Sequence, residues 1–328
     1  MNSHQQNGRT ENRSIWAISR NELIGAGALI LPSLLPGLSS GLQFFTPGIA
    51  ACFLDPSGNF RLKLYWLTGI FVLGGLLLVV LGRPDGMLLL AQSVCLCAII
   101  MLFTHFQRTA PETLLACSLC LAVLSVTIVY LGTEGRPLVA YQAIVKSMSA
   151  EFDKGVDLYV KNAGKDLAPE LTQIMGQLKE TMIAFFPAIL GSMFIFLSLS
   201  NIYACAFCSR ARKSRLVPGP DFQEWKMPPF LVWIFIISGF MAIYPGEDIS
   251  SAGKNLVTAV SIFYLIQGFA VMKFFFQIMK IPVFVRWLVY LLIGIQWYGL
   301  LMVVFTGLMD NWFDFRQRLE NSRKDIET

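Results

Sequence analysis

The sequence predicts an all-α, polytopic integral membrane helix bundle, and three observations predict it. Of the 328 residues, 55% are apolar and only 14% are charged, whereas a soluble domain carries about 25% charged residues. The apolar residues come in long uninterrupted runs rather than in a soluble amphipathic alternation. The runs are separated by short loops whose Lys and Arg fall mainly on alternate sides, as cytoplasmic loops of membrane proteins do.

The first residues are polar, with no short apolar stretch ending in a cleavage site, so residues 1–22 read as a cytoplasmic tail. From Leu23 to Leu54 no Lys, Arg, Asp or Glu occurs, but Pro32, Pro36, Gly37, Gly41, Pro47 and Gly48 interrupt the run. One straight helix cannot carry those breaks. Arg20 precedes the region and Arg61 and Lys63 follow it, so it returns to the side it left, as a hairpin or a re-entrant loop. Uncharged runs follow at Leu64–Leu81, Met87–Phe103, Leu114–Leu131, Met182–Phe207, Phe230–Tyr244, Leu256–Met272 and Trp287–Met309. The total is seven membrane segments with a re-entrant N-terminal region, or nine with a hairpin. Strict alternation then puts the N-terminus inside and the tail, residues 310–328, outside.

Between the N-terminal bundle (23–133) and the C-terminal bundle (181–309) lies an insert, residues 134–180, on the predicted outer side. Ile144, Met148, Phe152, Val156 and Tyr159, then Leu171, Ile174 and Leu178, recur every three or four residues and draw one apolar stripe. Pro169 suits the first turn of a new helix. The expectation is two amphipathic helices, the second running on into the next span. The stripe serves for packing on neighbouring helices or lipid, or as a lid over a ligand cavity.

Little points to chemistry. Cys95 and Cys97, Cys117 and Cys120, and Cys205 and Cys208 form close pairs inside apolar runs, where Cys behaves as a small hydrophobe. No metal or cofactor is implied, and His4 and His105 make no pair. Phosphate-loop and HExxH patterns are missing from the sequence and no titratable pair with acid and base roles is visible, so neither self-powered transport by ATP nor enzymatic catalysis is expected. The basic run Arg210–Arg215 reads as a topology determinant at anionic lipid, and nucleic-acid binding would need more basic surface with presented aromatics.

Polar residues inside the spans are costly in lipid and mark interiors or cavities. The candidate ligand-binding residues are Asn255, Gln267 and Lys273 on one span, Gln92 on another, and Glu22, the early carboxylate placed to neutralise Lys273. Lys273 otherwise snorkels to the interface beside Lys280, and the amides otherwise bond helix to helix.

Glu224-Trp-Lys-Met-Pro228, Asn255-Leu256, Phe263-Tyr-Leu-Ile-Gln-Gly268 and Asp310-Asn-Trp-Phe-Asp-Phe-Arg316 resemble the YybS-like bacterial membrane proteins. That resemblance spans nearly the whole chain and implies a multipass protein of a bacterial inner membrane without assigned chemistry. The broken region around Pro36, Gly37, Gly41 and Pro47 is more distantly similar to S components of energy-coupling-factor transporters, which bind a solute and borrow a partner's energising module. Two functions follow as expectations: a solute-binding transport subunit, or a non-transporting scaffold or envelope assembly factor whose outer helices hold a membrane protein partner.

Overall fold

The structure is a computed structural model that describes residues 19–35, 39–54, 60–83, 86–162, 168–212 and 221–318. The sequence features at His4, Pro36, Gly37, Lys213, Arg215, Arg323 and Lys324 lie outside the described residues. The described chain is helical throughout, as expected of backbone that must satisfy itself within lipid.

The broken N-terminal region folds as α1 (Arg20–Leu34), α2 (Ser39–Gln43) and α3 (Thr46–Leu54). A capping box starts α1: the Ser19 hydroxyl accepts from the Glu22 N–H, and the Glu22 carboxylate accepts from the Ser19 N–H. α1 and α3 run antiparallel, since Gly25 lies against Leu54 and Ala50. Glu22 pairs with Lys63 at 2.8 Å, so the chain leaves the hairpin at the end where it entered.

Four helices follow with the length and hydropathy of membrane spans: α4 (Phe60–Val80), α5 (Gly86–His105), α6 (Ala110–Gly132) and, after the insert, α9 (Phe186–Ala211). Thr109 caps α6, whose second residue is Pro111. Phe60 stacks on His105 at 4.5 Å, and Arg83 donates to the Leu34 carbonyl at 2.7 Å. These contacts fix the two ends of the bundle. One, the basic end, collects Arg61, Lys63, Arg108 and Arg210; the other holds Arg83 and the insert.

The insert is α7 (Pro137–Asn162) and α8 (Ala168–Ala184), clasped by Lys179 on Asp153. As the sequence suggests, α8 leads directly into α9, with a one-residue interruption between them. The helix breaks at Phe185 because Pro187 has no N–H to donate and its ring crowds the preceding turn.

In the C-terminal half a 3-10 turn (Phe222–Glu224) leads into α10 (Phe230–Ile243), which packs antiparallel on α11 (Glu247–Ile278), with Gly253 against the Met241–Ala242 backbone. α11 is a fifth helix of spanning character.

The last predicted span, Trp287–Met309, is not one helix. It is α12 (Val283–Ile295) and α13 (Trp297–Phe313), bent by 109° at Gln296. α13 runs parallel to α11: Gly268 meets Val303, Gly307 meets Tyr264 and Gly268, and Gln267 meets Asp310. A Cβ at Gly268 or Gly307 would collide with the facing backbone, so both positions need glycine for the approach. α12 therefore climbs back along the lower half of α11, its Tyr290 ring 5.9 Å from Phe269 and 5.6 Å from Phe276. The pair enters and leaves at the basic end, where Lys226 pairs with Asp314 and Arg316 reaches Gln223 and Trp225. This corrects the alternation that sent the tail to the opposite end. A re-entering pair adds no net crossing.

Candidate functional site

Two amides inside the spans, Asn255 and Asn201, sit on a break in a neighbouring helix. Asn255 shows the principle most plainly. In a continuous helix the Ala188 N–H would donate to the Ala184 carbonyl. Here Asn255 stands between them: its Oδ1 accepts from the Ala188 N–H at 3.0 Å and its Nδ2 donates to the Ala184 carbonyl at 2.9 Å. The side-chain amide replaces the backbone bond that the Phe185 break removes, a recognised cause of helix bending.

Asn201 of α9 does the same for the α2–α3 break. It accepts from the Gly48 N–H at 2.8 Å and donates to the Gln43 carbonyl at 3.0 Å. Gly48 lies so close to the Asn201 backbone that a Cβ would strike its carbonyl. The Gln43 side chain donates to Gln92 at 2.9 Å, and Gln92 donates to Ser125 at 3.4 Å, tying α2 to α5 and α6.

Gln267 is fully buried. It accepts from the Met227 N–H at 3.0 Å, ahead of α10, and donates to Asp310 at 3.2 Å. Asp310, itself buried, receives Arg316 at 2.7 Å on the same oxygen. Arg316 also donates to the Gln223 and Trp225 carbonyls at 2.7 and 2.8 Å. Asp314 makes that possible: its left-handed backbone (φ 43°) ends α13 and turns Arg316 back over Asp310.

The two charged candidates do not meet. Glu22 is held by Lys63, not by Lys273, because α1 and the start of α4 share one corner of the bundle. The Lys273 ammonium lies 5.6 Å over the Phe222 ring. Asn255, Gln267, Lys273, Gln92 and Glu22 thus occupy separate contacts. Asn255 borders a hollow of about 360 Å³ at the end opposite the basic one. The cysteines sit among the packed helices, with the Cys95 and Cys120 sulfurs 3.0 Å apart across α5 and α6. Among the described residues no group of three His, Cys, Asp or Glu could hold a metal ion.

Asp310 and Arg316, which the sequence marks only as part of the Asp310–Arg316 motif, are residues of this site as well. A carboxylate closing an apolar run, with an arginine six residues on, was the available signal.

Apolar spanning helices, hairpins re-entering at one end and amides reserved for backbone breaks define a polytopic α-helical membrane protein. The family described as "Predicted membrane protein (DUF2232)" matches residues 29–311, and the chain belongs to it. The YybS-like resemblance fits that family. No curated protein and no solved structure matches the chain.

Proposed function

We propose that the protein is a non-transporting scaffold or assembly factor of a bacterial inner membrane, without catalysis of its own. Its basic end faces the cytoplasm, and it presents α7–α8 on the outer side to a membrane or envelope partner. One observation carries this: Asn201, Asn255 and Gln267 are spent on the α2–α3 break, the α8–α9 break and the approach to α10, and among the described residues no hydrogen-bond path joins Asn255, Gln267 and Gln92. A solute-binding subunit resembling an S component would instead turn those groups toward a common cavity. The Lys and Arg asymmetry supports the orientation. So does the tail, whose Arg316 and Arg318 join the basic end.

The hairpin supports the scaffold reading as well. Met148, Phe152, Val156 and Met175 are half-buried between α7 and α8, while Ile144, Leu158, Ile174 and Leu178 remain exposed. The test is photo-crosslinking from Ile144, Leu158, Ile174 and Leu178 in native membranes, with Lys146 and Gln173 as polar-face controls. The reading expects one discrete protein adduct from the stripe and none from the controls. Adducts with lipid alone, or equal labelling from both faces, would overturn it.

A further inference from the structure

The hollow beside Asn255 lies at the root of the α7–α8 hairpin, walled by Phe185 of the α8–α9 break and by Tyr244 and Pro245 of the α10–α11 turn. Its size falls in the range of small-molecule sites. Two charges border it, Glu247 and Lys254, both on α11. Seven residues separate them, which is two helical turns on one face and about 10 Å along the axis. At that spacing they cannot pair with each other, and among the described residues neither pairs with any other group.

We propose that this hollow is an outward-facing site for a small zwitterion carrying an apolar group. Its ammonium meets Glu247, its anionic group meets Lys254, and its apolar part lies on Phe185, Tyr244 and Pro245. The geometry selects a zwitterion because an ammonium and a carboxylate or phosphate a few ångströms apart, each with a hydrogen bond of about 2.8 Å at its end, fill the gap between the two side chains. An ion of single charge satisfies only one of them. Asn255 is a positioning residue here: it fixes Ala184 and Ala188, so the occupant touches the junction from which the hairpin springs. The chemistry fits an apolar α-amino acid and an ethanolamine phospholipid headgroup alike. This inference goes beyond the scaffold reading and stands or falls without it.

The test uses the full chain in nanodiscs of phosphatidylglycerol and phosphatidylcholine. Thermal stability is followed while free L-phenylalanine, phosphoethanolamine, N-acetyl-L-phenylalanine or phenylethylamine is titrated in. A parallel arm adds phosphatidylethanolamine to the discs. The expected result is stabilisation by a zwitterion, with the singly charged analogues weaker by about tenfold or more, the loss of one charge-assisted hydrogen bond. Glu247→Gln and Lys254→Met abolish the response without lowering the unliganded Tm, and Lys254→Arg retains it. A response to the free compounds assigns a solute, and one to phosphatidylethanolamine alone assigns a lipid headgroup; both uphold the site. No response in either arm, or a response that survives both Glu247→Gln and Lys254→Met, overturns it.

Discussion

The two terminal hairpins differ in a way that shows how this chain uses its polar residues. Both α1–α3 and α12–α13 enter and leave at the basic end, and both contain a helix too short to cross about 30 Å of hydrocarbon, α3 with nine residues and α12 with thirteen. Yet seven of the nine residues in α3 are buried, whereas α12 has none. The break that leads into α3 is closed by Asn201 and backed by Gln43 and Gln92. At the α12–α13 break, Gln296, Trp297 and Tyr298 are exposed, and among the described residues no side chain of another helix bonds there. A break buried in the bundle needs an amide partner, because an orphaned backbone group in an apolar setting costs free energy comparable to a lost hydrogen bond. At the exposed tip of α12–α13 no packed helix surrounds the break, so no amide from the bundle is required there.

The largest effect is expected where the C-terminal hairpin is anchored. Arg316→Ala strands Asp310 and should cost roughly 3 kcal/mol, as removal of one partner from a buried ion pair does. The paired change Asp310→Leu with Arg316→Leu should cost less than Arg316→Ala alone, which a double-mutant cycle in detergent reads directly. Next comes Gly48→Ala, whose added Cβ strikes the Asn201 backbone; a loss of about 2 kcal/mol from overpacking is expected. The matched control, Gly294→Ala on α12, meets open space and should not lower Tm.

Asn201→Leu should cost about 1–2 kcal/mol through its broken hydrogen bonds, and Gln296→Leu close to nothing. Equal losses at those two positions would remove the contrast between the hairpins. Smallest of all is Lys273→Met. Among the described residues its ammonium has only the Phe222 ring for a partner, a contact of about 0.5–1 kcal/mol, so Tm should barely move.

The sequence made much of this legible, for physical reasons that also set its reach. Uncharged runs bounded by charged residues located α4, α5, α6, α9 and α11, because length and hydropathy are what the bilayer demands. Pro32, Gly41 and Pro47 announced the broken first region, and the three-four stripe announced α7 and α8. The bend at Gln296 was not legible: no residue from Trp287 to Met309 is charged, and one amide, Gln296, suits a helix contact as well as a bend. Missing that bend flipped the assigned side of the tail. Asn255, Gln267 and Gln92 were recognised as polar groups with something to satisfy. What they satisfy are backbone atoms of Ala184, Ala188 and Met227 and the Gln43 amide, partners distant in sequence that no pattern along the chain announces. Phe185 hid its break because Pro187 is tolerated in a helix's first turn and its effect is felt upstream.

The most direct test of the account is the side of the tail. Gln317→Cys, Arg61→Cys and Glu151→Cys, each in a chain whose seven native cysteines are replaced, would be treated with a membrane-impermeant maleimide in spheroplasts before and after lysis. The returning α12–α13 hairpin predicts that Gln317→Cys and Arg61→Cys label only after lysis, while Glu151→Cys labels before it. Labelling of Gln317→Cys together with Glu151→Cys in intact spheroplasts would contradict the hairpin, and with it the ion pairs that tie the tail to the basic end.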